Sequence, residues 1–213
     1  MNMDETEKLI DGFKGFQSGY FKEHSSQFKK LVSEGQSPKV ALVACSDSRV
    51  DPAIVLSVEP GQIFMVRNVA NIVPPYEGEG TYHGTIAALE YAVRGLTVEH
   101  IIVMGHAHCG GIQALMEGGV PEDWEQSYIP KWMSLVDSAK QRVEATLPDA
   151  PIDVKLRQCE KEAVHVSLEN MMTFPWIEQK VEERTLNLHG WYVDIGKGEL
   201  LVYDPVNASF VSA

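Results

Sequence analysis

Two short segments place thiols beside charged or imidazole side chains, each directly after an apolar run. The first, ACSDSRVDP at 44–52, sets Cys45, Asp47 and Arg49 at alternate positions, and the second, GHAHCGG at 105–111, contains a cysteine and two histidines. Thiolate and imidazole are ligands that zinc prefers in proteins. Two cysteines and one histidine would leave a fourth coordination position for water or a carboxylate. The chemistry that these residue types indicate is metal-assisted activation of water.

The apolar runs before both segments predict that the two segments meet. Ligands of an open parallel sheet gather at the carboxyl ends of its strands, so Cys45 and Cys109 could share a crevice although 64 positions separate them. Either His106 or His108 could supply the third ligand. A single cysteine at a strand end is more often a small buried hydrophobe, and Cys159, within a helical pattern, is interpreted in that way. Two cysteines at two strand tips favour a metal site.

The rest of the sequence predicts alternating helices and strands. Three runs are apolar on both faces, which is typical of central strands in a parallel sheet: KVALVAC (39–45), IFMV (63–66) and HIIVMG (100–105). Three- and four-residue steps predict helices over 9–32, with a break near Gly19, over 84–96 and in two later segments, and LNLHGWYVDIGKGELLVYD predicts a hairpin. The fold class is therefore α/β, with a central mostly parallel sheet flanked by helices. We expect an extended N-terminal helical arm at 1–34, a single α/β zinc-binding catalytic domain at 35–213 and one loop at 74–84.

Composition excludes several classes of function. The 18 basic and 30 acidic residues give a net charge of −12, which opposes attraction to nucleic acid. No apolar run approaches the roughly 20 residues of a membrane span, and the acidic beginning of the sequence is unlike a targeting segment. Three cysteines are too few for a disulfide framework. We expect a cytoplasmic protein without nucleic-acid or membrane partners.

The two motifs together resemble those of the β-class carbonic anhydrases. Cys45-Ser-Asp47-Ser-Arg49, followed by His106-Ala-His108-Cys109-Gly-Gly, carries the resemblance. Five further segments are similar to the plant-like branch: GQSP, RNVANIVPPY (67–76), LEYAV (89–93), CEKEAVHVSLENMMTFPW (159–176) and LHGWYVDIGKGEL (188–200). The resemblance implies a carbonate dehydratase, a zinc-dependent lyase that hydrates CO₂ reversibly to bicarbonate and a proton. It implies one Zn²⁺ per chain on Cys45, His106 and Cys109, with His108 outside the site.

The resemblance also implies catalytic roles for Asp47 and Arg49. A zinc ion lowers the pKa of the water that it binds, and an acceptor is needed to orient the resulting hydroxide. Asp47 fits as that acceptor, and Arg49 can hold the Asp47 carboxylate ionised and off the metal. Without a metal, the two residues would be interpreted as a local ion pair at a turn.

The resemblance also implies a substrate pocket and an oligomer. It assigns Gln36 as a donor to a substrate oxygen, and Phe64 and Tyr91 as the wall of an apolar pocket assembled across a dimer interface. Periodicity alone would place the two rings in the core and Gln36 in a loop. The arm embraces the partner subunit in this family, so we expect a homodimer, and a homotetramer as a dimer of dimers.

One residue indicates the branch of the family, and two alternative functions stay open. A bicarbonate-inhibited branch carries tryptophan three residues before the first zinc cysteine, where this chain has Leu42. We therefore expect an open site, with Asp47 off the metal. One alternative is a carbonyl sulfide or carbon disulfide hydrolase on the same scaffold. The other is a noncatalytic zinc-stabilised binding protein, which would lack Asp47 or Arg49.

Overall fold

The structure, a computed structural model, describes residues 4–78, 83–121 and 123–213. The chain divides into two compact units, Met1–Ser37 and Pro38–Ala213. Residues 1–3 of the predicted arm and residues 79–82 of the predicted loop lie outside the described residues. None of the helices described is long and apolar enough to cross a membrane.

Three helices form the N-terminal unit: α1 (Glu5–Ser18), α2 (Tyr20–Glu23) and α3 (Ser25–Glu34). The break predicted near Gly19 lies between α1 and α2. No residue described in these helices is buried. The most exposed apolar side chains include Leu9 at 75%, Phe13 at 62% and Val32 at 86%. The unit thus presents apolar surface that its own packing does not use.

One six-stranded sheet forms the centre of the second unit. Its strands are β1 (Val40–Cys45), β2 (Ile63–Asn68), β3 (His100–His106), β4 (Asn187–Asp194), β5 (Glu199–Asp204) and β6 (Ser209–Ser212). Their order is β2-β1-β3-β4-β5-β6, in which β2, β1, β3 and β4 pair in parallel, and the β4–β5 and β5–β6 pairs are antiparallel. The predicted fold class and the predicted hairpin, formed by β4 and β5, are confirmed.

The prediction that IFMV forms a central strand is wrong, because β2 lies at the edge of the sheet. Every residue of β2 is half-buried, whereas β1 is almost wholly buried. A continuous apolar run is compatible with a half-buried edge strand as well as with a fully buried central strand. Here Phe64 and Val66 pack against the main core without being enclosed by it.

The helices of this unit are α4 (Pro52–Val55), α5 (Gly84–Glu90), α6 (Gly110–Glu117), α7 (Ile129–Met133), α8 (Asp137–Thr146), α9 (Ile152–Met171) and α10 (Pro175–Glu182). A single π turn, Tyr91–Gly95, continues α5. Helix α9 packs against β3 and β4, and α5 packs against β2. The sheet is therefore flanked by helices, as predicted.

Helix α9 approaches β3 closely at Gly105. A Cβ atom at Gly105 would lie 2.6 Å from Cγ2 of Val164 on α9, which is closer than two carbons can pack. Glycine at this position lets the helix lie directly on the strand. As a consequence, α9 passes beside the carboxyl end of β3, where the candidate site begins.

Candidate metal centre

Three potential metal ligands converge at the carboxyl edge of the parallel strands. Cys45 is the last residue of β1, His106 is the last of β3, and Cys109 is the N-cap residue of α6. One ligand atom from each residue lies within 4.8 Å of the other two. All three residues are buried, with exposures of 5%, 1% and 3%. The parallel pairing of β1 with β3 creates this cluster, since it brings the ends of the two strands side by side.

His106 is oriented as metal-binding histidines are. Its Nδ1 lies 2.9 Å from the carbonyl oxygen of Ala107, and a proton on Nδ1 makes that contact a hydrogen bond. Its Nε2 is buried and has no hydrogen-bond partner among the described residues. A buried polar atom without a partner costs about 1–3 kcal/mol. A metal ion at Nε2 would satisfy it, while the Nδ1 contact fixes the ring.

The two thiols and His106 make the cluster favourable for a cation. The Cys109 thiol faces Cys45 as a donor and, with His106, lowers the pKa of Cys45 although burial opposes this. The same contact, together with burial, raises the pKa of Cys109. Burial lowers the pKa of His106, but the negatively charged Cys45 outweighs it and the net shift is upward. Two thiols and an imidazole are ligands that zinc prefers in proteins, and this donor set fits Zn²⁺.

Asp47 and Arg49 form a bidentate pair beside the cluster. The Arg49 side chain donates from Nε to Oδ1 of Asp47 at 2.9 Å and from Nη2 to Oδ2 at 2.6 Å. Arg49 also donates to the backbone oxygen of His108 at 2.9 Å, which links the two motifs. The Arg49 guanidinium holds the pKa of Asp47 well below its usual range. The Asp47 carboxylate is thus ionised and held by Arg49, with Oδ2 at 4.0 Å from Nε2 of His106.

Arg67 on β2 holds the turn that follows Cys45. Its guanidinium donates to the carbonyl oxygen of Cys45 at 2.9 Å, to that of Asp47 at 2.8 Å and to Oδ2 of Asp51 at 2.9 Å. Asp51 in turn caps α4 by accepting from the backbone N–H of Ala53. This role of Arg67 was not predicted from the sequence. The sequence feature that could have indicated this role is the position of Arg67, a charged residue directly after the apolar run IFMV.

Glu160 on α9 is the second residue that sequence reasoning missed. Its side chain is buried, and its Oε1 accepts from the backbone N–H of Cys109 at 3.0 Å. Burial raises the pKa of Glu160, although its hydrogen bonds lower it. The signal was helical spacing: Glu160 lies three, four and seven positions before the buried residues Ala163, Val164 and Ser167. An acidic residue on that buried face required a partner.

Two of the residues assigned to the substrate pocket, Phe64 and Tyr91, are not part of the metal-ligand cluster of their own unit. The rings of Phe64 and Tyr91 contact each other, with centroids 5.8 Å apart. Phe64 pairs with Ala41, four residues before Cys45, which corresponds to about 13 Å along the strand. Gln36 lies in the N-terminal unit, after α3, and is exposed. The pocket assignments therefore stay predictions.

Fold and site together define a class: an α/β protein with a Cys₂His candidate metal centre at the carboxyl edge of a parallel sheet. A family model described as carbonic anhydrase matches residues 40–200. The chain therefore belongs to the carbonic anhydrase family, whose general reaction is the hydration of CO₂.

The relatives lie within the β class. The chain is 41% identical over 191 residues to "Beta carbonic anhydrase 5, chloroplastic" of Arabidopsis thaliana, a match that covers 90% of this chain and 62% of that relative. It thus spans less than two thirds of the length of this plant relative. The solved structure of the β-carbonic anhydrase CcaA has a TM-score of 0.90 and 34% identity, and covers 99% of this chain and 100% of that one. A tetrameric β-carbonic anhydrase of Sordaria macrospora has a TM-score of 0.79 and 27% identity, over 93% of this chain and 97% of that one. The resemblance to the β class, including its plant-like branch, is confirmed.

Proposed function

We propose that this protein is a zinc-dependent carbonate dehydratase that hydrates CO₂ reversibly to bicarbonate and a proton. The observation that carries the proposal is the buried cluster of Cys45, His106 and Cys109 with the Asp47–Arg49 pair beside it. Zinc held by these three ligands would supply a water of lowered pKa as the nucleophile near neutral pH. The family membership supports the same reaction.

Asp47 has the geometry to orient that nucleophile. Oδ1 of Asp47 accepts from the side chain and from the backbone N–H of Arg49, both at 2.9 Å, whereas among the described residues Oδ2 accepts only from Nη2. Oδ2 therefore keeps acceptor capacity on the side of Nε2 of His106. It can accept a hydrogen bond from the nucleophile, which turns a lone pair of the nucleophile towards the carbon of CO₂. Because Arg49 keeps the pKa of Asp47 low, Asp47 orients this proton without taking it up.

The first experiment is stopped-flow CO₂ hydration at pH 8.5 and at pH 7, on protein whose zinc content is measured in the same sample. We expect fast turnover at both pH values with about one zinc per chain, because Arg49 keeps Asp47 ionised and away from the ligands. Adding bicarbonate at pH 7 should then inhibit without a sigmoidal response. Sigmoidal loss of activity would contradict the open site. Zinc without CO₂ hydration would favour a sulfur substrate, tested with carbonyl sulfide, or a noncatalytic protein.

We also propose that the protein is at least a homodimer whose pocket residues serve the partner's metal centre. Phe64 and Tyr91 are distant from the cluster of their own unit, and the arm exposes Leu9, Phe13 and Val32. The Sordaria relative is described as tetrameric. Light scattering during chromatography should give a dimer or a tetramer. A monomer with full CO₂ hydration activity would overturn this proposal. The cytoplasmic location expected from the sequence stays a prediction.

A further inference from the structure

Glu160 lies at the centre of a buried network that reaches the candidate metal centre. Its exposure is 2%, and donors from three elements converge on its two oxygens. Oε1 accepts from the backbone N–H of Cys109 at 3.0 Å and from Nη2 of Arg157 at 2.7 Å. Oε2 accepts from the hydroxyl of Tyr192 at 2.7 Å. Helix α9 is in this way joined to the beginning of α6 and to β4.

A carboxylate such as that of Glu160 is a stronger acceptor than the backbone N–H of Cys109 needs. The N–H groups at the beginning of a helix need an acceptor, and a serine, an asparagine or a water would suffice. A buried carboxylate is expensive to desolvate, and is tolerated only where donors surround it. Here Arg157 and Tyr192 each hold one of its oxygens. Both oxygens of the carboxylate are consequently held in place. The carboxylate in turn holds the backbone N–H of Cys109, from which it accepts.

We propose that Glu160 is a positioning residue that sets the place of the Cys109 sulfur relative to Cys45 and His106. The inference rests on the metal centre proposed above. Cys109 is the ligand outside the strands, since Cys45 pairs with Asn68 in the β1–β2 ladder and His106 pairs with Val193 in the β3–β4 ladder. The carbonyl oxygen of Cys109 accepts from the backbone N–H of Gln113 in α6, whereas the N–H of Cys109 is held from outside the helix by Glu160. Groups that orient metal ligands change metal affinity by about 10- to 100-fold when they are removed.

The test measures zinc affinity and the absorption spectrum of the Co²⁺-substituted protein, so it does not depend on CO₂ hydration. Glu160→Met keeps the length of the side chain but cannot accept the Cys109 N–H. We expect it to bind zinc about 10- to 100-fold more weakly in chelator competition. Its thiolate-to-cobalt bands should shift, because the Cys109 sulfur moves. Glu160→Gln retains a carbonyl acceptor for Cys109 and should recover most of the affinity.

Ser167→Ala is the matched control. Ser167 lies on the same helix, is fully buried, and accepts from the backbone N–H of Val73 at 3.2 Å. Its replacement removes a buried bond from α9 to a backbone amide without touching Cys109. The control should unfold at a lower temperature yet keep the zinc affinity and the cobalt spectrum of the original protein.

Tyr192→Phe tests the proposal if Glu160→Met does not fold, since it removes only the donor to Oε2. It should weaken zinc binding severalfold and shift the cobalt bands in the same direction. Folded Glu160→Met or Tyr192→Phe protein with unchanged affinity and spectrum would overturn the proposal and leave Glu160 a role in stability alone. Failure of the unsubstituted protein to bind zinc would instead refute the proposed function.

Discussion

Replacing Arg49 with alanine is expected to lower the rate of CO₂ hydration by about 10²- to 10³-fold, the usual cost of losing a group that positions a reacting partner. The free energy of unfolding should change little, because the Arg49 side chain is 54% exposed and water screens its ion pair. Stopped-flow hydration, zinc content and urea unfolding of the same preparation would measure the three quantities.

The physical reason lies in what Arg49 does for Asp47. Two of the hydrogen bonds to the Asp47 carboxylate come from the Arg49 side chain, and Oδ2 is only 4.0 Å from Nε2 of His106. Without the guanidinium, the carboxylate is free to turn towards the ligand atoms and take the fourth coordination position. Zinc would stay bound, but the place for the nucleophile would be closed.

Two further variants make the result specific. Arg49→Lys keeps the charge but not the fork of donors, so it should restore only part of the activity. Lys39→Ala removes another exposed ion pair, that with Glu99 at 2.6 Å, and should leave activity unchanged. Retention of full turnover by Arg49→Ala would show that Asp47 does not need Arg49, and the assigned role would be wrong.

Replacing Cys45 with alanine should remove the metal and the activity together. Zinc content is expected to fall from about one per chain to less than about 0.1, because two remaining ligands do not make a stable zinc site. Elemental analysis after dialysis, with hydration kinetics on the same protein, would measure both.

Cys159→Ala supplies the control for a cysteine of equal burial. Cys159 has an exposure of 0%, lies on α9, and burial raises the pKa of its thiol to about 12. It packs with Cys45 and Cys109 in one apolar cluster but is not among the converging ligands. The variant should keep its zinc and its turnover. A zinc-replete Cys45→Ala protein would show that the metal binds elsewhere.

The strands that carry the ligands could be predicted because their residues are apolar on both faces and end in polar motifs. The edge position of β2 could not, since partial cover by one helix leaves the same apolar pattern as full burial. Strand β6, with only four residues, offers too little pattern to be recognised. Glu160 and Arg67 were missed because the groups that they hold at the site are backbone groups, which any sequence contains. Which elements those backbone groups belong to depends on tertiary packing.

The pairing of β1 with β3 also decides when during synthesis the metal can be bound. Cys45 is translated 64 residues before Cys109, which at ordinary rates of elongation is about 3–13 s. For almost all of that interval the nascent chain carries only one ligand of the site, since His106 follows Cys45 by 61 residues. A zinc finger differs, because its ligands lie close together in sequence and the metal itself drives folding. In this protein β1 and β3 must pair before the candidate ligands lie together, so zinc would bind only after this part of the sheet has folded.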